Sequence, residues 1–111
     1  YFVKKLIHFK FKTDEPHLIE TAMAQAIKPK FFWNHKNRYE TDFVAENPFY
    51  AFEVKYREKL SPADFKGLEQ FKHSHPKAKT IMISKTKSQN TVPYYAIERF
   101  LEQHKIKPQQ A

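Results

Sequence analysis

The stretch FYAFEVKY at 49–56 narrows the fold of this chain more than any other. Tyr50, Phe52, Val54 and Tyr56 fall on one face, and Ala51, Glu53 and Lys55 on the other. This period of two predicts a strand with one strongly apolar face. Ser61-Pro62-Ala63-Asp64 then reads as a helix start, with Ser61 as cap, Pro62 at the first helical position and Asp64 closing a capping box. Phe65, Leu68 and Phe71 or Lys72 follow at helical spacing, and Pro76 ends the run. TIMIS at 80–84 reads as a short buried strand. A strand, a helix and a second strand in that order require a crossover. The strands around Glu53 and Ile81 are therefore predicted to pair in parallel through a right-handed connection.

Upstream, PHLIETAMAQAI at 16–27 predicts a helix capped by Asp14, with Leu18, Ile19, Met23, Ala26 and Ile27 as its apolar stripe. Phe31 to Trp33 reads as an aromatic strand and TDFVAE at 41–46 as another. Asn47-Pro48 reads as the turn joining 41–46 to 49–56 in an antiparallel hairpin. Residues 91–104 are predicted as a last helix, with Pro93 at its start and Tyr94, Ile97, Phe100 and Leu101 inward. Residues 1–12 alternate loosely, as an edge strand or the end of a preceding segment, and 105–111 read as a polar tail. The 13–104 span is then one α/β domain, a mixed β-sheet flanked by helices. Its length and its 41% hydrophobic content suffice for one core.

Composition removes several kinds of chemistry. Without Cys there is no disulfide framework, Cys-ligated zinc or thiol nucleophile. The single Gly, Gly67, leaves no glycine-rich phosphate loop, so ATP binding by this chain itself is not expected. No apolar run approaches the ~18 residues of a membrane span, and the lysine-rich start lacks a secretory leader pattern. A cytoplasmic protein with no membrane partner is expected, and Tyr1 in place of Met suggests a piece of a longer one. The formal net charge of +8 favours a polyanion as partner, with a solubilising lysine surface as the bland alternative.

Glu53 and Lys55, two apart on one strand, share a face, and Asp42 lies on the hairpin partner. Two carboxylates brought together repel each other unless a cation intervenes. A hard divalent ion, Mg²⁺ or Mn²⁺, would bind both, and Lys55 beside it would steady charge on a phosphoryl group. Glu-x-Lys alone says little in a chain with 9 Glu and 17 Lys. Asp64-Phe65-Lys66 is a decoy of related form on a helix, and substitution at Asp64 is expected to disturb a cap and leave the chemistry alone. The competing account of Glu53 and Lys55 is a surface ion pair.

The ordered set FFWNHKNRYETDFV, FYAFEVKY and LSPADFKGLEQFKHSHPKAKTIMIS, closed by VPYYAIERFL, resembles the C-terminal domain that follows the P-loop motor in archaeal and bacterial AAA-type ATPases. That domain is similar to the PD-(D/E)xK, restriction-endonuclease-like nucleases. The likeness spans roughly 31–101. It implies a restriction-endonuclease-like fold, with Asp42 and Glu53 as metal ligands and Lys55 as the catalytic lysine. It also places Glu20 where the first helix of such nucleases often offers an acid, and Gln70 where a polar accessory residue sometimes sits. Thr41 stands where the superfamily often has Pro. The implied activity is metal-dependent cleavage of DNA phosphodiesters. A non-catalytic DNA-binding module and a regulatory or protein-interaction domain of the ATPase are the alternatives. The implied partners are DNA and the ATPase domain of the parent chain, with a second copy as a further candidate.

Arg57 and Lys59 after the Glu-Val-Lys strand, and Lys36 and Arg38 near Trp33, are candidate DNA phosphate contacts. Lys28 and Lys30 belong with the latter pair, and Lys72, Lys77 and Lys79 are a third group of the same kind. Each group reads equally as solvated charge. His73 and His75 straddle a predicted helix end, which disfavours zinc. Trp33 and the tyrosines read as packing residues rather than base-stacking platforms.

Overall fold

The computed structural model describes residues 15–34 and 41–107, with side chains described for 15–30 and 43–107. The expectations for 1–12, the Asp14 cap, Lys36, Arg38 and the ring of Trp33 lie outside what is described. In chain order the elements are α1 (Glu15–Ile27), β1 (Phe31–Asn34), β2 (Thr41–Ala45) and β3 (Tyr50–Lys55). A 3-10 turn (Pro62–Phe65) leads into α2 (Lys66–Ser74), followed by β4 (Lys79–Ser84) and β5 (Thr91–Pro93). A second 3-10 turn (Tyr94–Ala96) leads into α3 (Ile97–Gln103).

The five strands lie in the order β1-β2-β3-β4-β5. β1, β2 and β3 form an antiparallel meander, while β4 pairs in parallel with both β3 and β5. The sheet is thus mixed and flanked by helices, as the pattern around 49–84 requires. The Asn47-Pro48 turn is present, with Asn47 left-handed and the peptide cis.

The period of two in β3 divides the core into two layers. Tyr50, Phe52 and Val54 join Phe43 and Ile83 under α1 and α3, against Ile19, Met23, Ile97 and Leu101. Ala51 joins Val44 and Met82 under α2, against Leu68 and Phe71. Burying a phenylalanine such as Phe43 or Phe52 stabilises the fold by roughly 1.5–3 kcal/mol relative to leaving it exposed. Every residue of β3 is buried, including Glu53 and Lys55.

Two expectations need correction. Residues 91–93 are a fifth strand rather than a helix start. Thr91 and Val92 are β-branched and suit a ladder, and Pro93, which has no N–H to give, ends the strand. Helix proper begins only at Ile97. The chain also stays tied down past Lys105. The Ile106 N–H bonds the Leu101 carbonyl at 2.8 Å, the Lys105 N–H bonds that of Glu102 at 3.2 Å, and Ile106 is buried. This is a Schellman closure of α3, with Lys105 at φ 56° in the left-handed position that glycine usually takes. A chain with one glycine places Lys and Asn in such positions: Lys28, Asn47, Asn90 and Lys105.

Lys105→Gly is therefore expected to raise stability by about 0.5–1 kcal/mol, because the backbone conformation no longer crowds a Cβ. Thermal unfolding checks this by an upward shift of several degrees; a fall in the midpoint contradicts the closure described.

Candidate functional site

β2 and β3 pair so that Asp42 stands directly opposite Glu53, and Val44 opposite Ala51. Directly paired residues of an antiparallel ladder share a face, with Cβ atoms about 4.5–5.5 Å apart. Asp42, Glu53 and Lys55 therefore belong to the α2 face of the sheet. The parallel ladder adds Met82 beside Glu53 and Ser84 beside Lys55. The side chain of Asp42 lies outside those described; what is given is the backbone register that pairs it with Glu53.

Glu53 is 0% exposed and Lys55 6%. The Lys55 ammonium lies 3.5 Å from Glu53 Oε2, an ion pair almost out of water. A buried pair of this kind costs desolvation on both sides, and removing one partner leaves an uncompensated charge. The surface ion pair that composition allowed is thus replaced by an interior one.

Asp64 proves to be part of this charged region. Its carboxylate accepts the Arg57 guanidinium at 2.6 Å, the Ser61 N–H at 2.8 Å and the Ser61 hydroxyl at 3.3 Å. It is buried within the 3-10 turn that precedes α2. Burial pushes its pKa up, but the Ser61 N–H and the positive charges of Arg57 and Lys55 together hold it below the ordinary carboxylate value. Asp64 closes the capping box as expected, and its carboxylate also lies within the field of Lys55. The capping motif gave its backbone role, and its burial follows from Arg57 folding back from the exit of β3.

The other predicted site residues are more dispersed. Arg57 is engaged with Asp64. Lys59 is exposed in the segment that follows. Gln70 is exposed on α2, away from the buried Leu68 and Phe71. Glu20 is half-buried on α1, and α1 packs on the face of the sheet opposite to that carrying Glu53. The structure thus brings Glu53, Lys55 and Asp64 into one region, with Asp42 by register, and sets Glu20 and Gln70 on other surfaces. His75 stacks on Phe71 at 4.4 Å between ring centroids and stands edge-on to Phe49. Among the described residues no three His, Cys, Asp or Glu side chains group to hold a metal ion.

A groove of about 470 Å³ runs along the same face, lined by Phe65, Leu68, Glu69, Lys72, Met82 and Asn90 among others. Met82 joins it to the Glu53 position. Across the sheet, Tyr56 donates a short hydrogen bond to Glu15 and packs edge-on to Tyr94. Burial first, and then the Glu15 carboxylate, push the Tyr56 pKa up, so this phenol stays protonated.

The domain-family model that matches covers 16–100 and is described as Domain of unknown function (DUF4143). The chain belongs to that family. The matched span opens in the first turn of α1 and closes inside α3, so it takes in the whole sheet and the Glu53–Lys55 pair. Comparison with curated proteins and with solved structures gave no match. No helix among the described residues is long and apolar enough to cross a membrane.

Asp64→Asn keeps the shape but loses the charge that Arg57 and Ser61 bind. It is expected to lose about 1–2 kcal/mol of stability near pH 7. Because the folded-state pKa lies below the unfolded one, this contribution is complete above the usual carboxylate pKa of about 4 and disappears as pH falls through the folded value. Urea unfolding of both proteins should show a constant gap from pH 7 to 5 that closes toward pH 2. A gap that widens in acid contradicts the assignment.

Proposed function

We propose that this chain is a metal-dependent DNA-cleaving domain of the PD-(D/E)xK, restriction-endonuclease-like kind. Asp42 and Glu53 are its oxygen donors for Mg²⁺ or Mn²⁺, and Lys55 is its catalytic lysine. The observation that carries this reading is the register that sets Asp42 against Glu53, with Lys55 next on the same face and ion-paired to Glu53. The order helix, three-stranded meander, helix and parallel strand supports it. The basic charge of the chain supports a nucleic-acid substrate.

The donor set suits the ion. Mg²⁺ takes one or two carboxylates and completes its shell with water and phosphate oxygens. When bound, the ion supplies charge neutralisation at the scissile phosphate and an acidified water. Lys55 presents a cation to the same phosphate, where it stabilises developing negative charge in a site shielded from water. Asp64 and Arg57 brace the segment just after Lys55. Glu20 and Gln70 stand outside this donor set. As the resemblance implies, the domain works beside an ATPase motor in a longer cytoplasmic protein.

One observation favours a second reading, that of a non-catalytic DNA-binding or protein-interaction domain. Glu53 and Lys55 are both out of solvent, as a purely structural ion pair is.

Nicking of supercoiled plasmid with Mn²⁺ or Mg²⁺, run beside metal-binding calorimetry, separates the two. The wild-type chain is expected to nick DNA. Lys55→Ala is expected to lose at least about 100-fold in rate while still binding the ion. Asp42→Asn is expected to weaken ion binding, and circular dichroism confirms that each variant is folded. A wild-type chain that binds no divalent ion at millimolar concentration, or a folded Lys55→Ala that nicks at the wild-type rate, removes the catalytic reading.

A further inference from the structure

Residues 70–97 contain no Asp or Glu and carry Lys72, Lys77, Lys79, Lys85 and Lys87. The fold divides this acid-free run between the two ends of β4. Lys77 and Lys79 stand at its start, and Lys85 and Lys87 follow its carboxyl end. Five residue steps along a strand separate the two ends by roughly 17 Å. The carboxyl end is also the end of β3 that carries Lys55, because Lys55 pairs with Ser84. The 85–90 loop therefore leaves the sheet beside the candidate site.

This loop is exposed but organised. Ser84 Oγ donates to the Thr86 carbonyl at 2.7 Å and lies 2.9 Å from Thr91 Oγ1. Thr91 Oγ1 in turn accepts the Ser88 N–H at 3.2 Å. The Lys85 ammonium stands over the Tyr56 ring, 5.1 Å from its centroid, and residues 86–90 are exposed. Arg57, the sequence-level candidate nearest Lys55, is already committed to Asp64.

We propose that the 85–90 loop is the segment that grips the DNA backbone, with Lys85 and Lys87 as its phosphate contacts. The proposal rests on the DNA reading above and assigns the surface by which the substrate is held. Open parallel strands present ligands at their carboxyl ends, and this loop closes that edge. A lysine on a pre-formed loop meets a phosphate with less ordering cost than one on a free segment. Contacts of this kind position the duplex without reading its sequence.

The test is fluorescence anisotropy with a labelled duplex in EDTA, titrated over a series of salt concentrations, so that cleavage plays no part. Lys85→Gln/Lys87→Gln is expected to weaken binding and to reduce the slope of log affinity against log salt by about 1 per lysine. Lys105→Gln/Lys107→Gln, an equal charge change just after α3, where His104 meets Tyr50 at the opposite end of β3 from Lys55, is expected to leave the slope nearly unchanged. If the wild type binds with strong salt dependence and the two pairs act alike, the loop assignment is overturned and the DNA reading stands. If the wild type shows no salt-sensitive binding, both fall together.

Discussion

Glu53 and Lys55 sit on an interior strand, 3.5 Å apart and shut away from bulk water. β3 is paired on both edges and covered by helices on both faces, so its two charges can be balanced only by groups brought to them. Burying an isolated charge costs several kcal/mol even after relaxation. The local structure reflects that cost. Lys55 is paired with Glu53 and Asp64 lies in the field of Lys55, while register adds Asp42 opposite Glu53, a like charge that calls for a cation. Two of the three aspartates in the chain are thus placed around one strand end.

The same strand organises the hydrophobic packing. Its odd and even residues feed two separate cores, one with α1 and α3 and one with α2. A one-residue slip of β3 would drive Glu53 and Lys55 among Ile19, Met23 and Phe43, so register is fixed by the most expensive error available. The α2 crossover then delivers β4 beside β3, which aligns Ser84 with Lys55 and carries the basic 85–90 loop to the same edge. Core, charged pair and loop are one arrangement seen at three depths.

Much of this was legible in the sequence because it depends on period and punctuation. The alternation in 49–56, the Ser-Pro-Ala-Asp start and the apolar TIMIS run specify a hairpin, a crossover and a parallel pair without help from distant residues. The missed features depend on tertiary partners. β5 is three residues long, too short for any period, and exists because β4 offers it a free edge. Ile106 looks like part of a polar tail until the α3 closure turns it inward. Asp64 carried a motif for capping, but its burial and its tie to Arg57 arise only when the loop after β3 folds back. Glu20 lies in a well-read helix, yet the face of the sheet that helix covers is not encoded in its own stripe.

The proposed function requires a divalent ion between Asp42 and Glu53 on the α2 face of the sheet, with Lys55 alongside. Anomalous diffraction from a crystal soaked in Mn²⁺ tests this most directly. The account predicts a peak within coordination distance of both carboxylates, at roughly 2.0–2.3 Å. Asp42 and Glu53 carboxylates pointing apart, or well-ordered crystals in which Mn²⁺ sits elsewhere or nowhere, would contradict it.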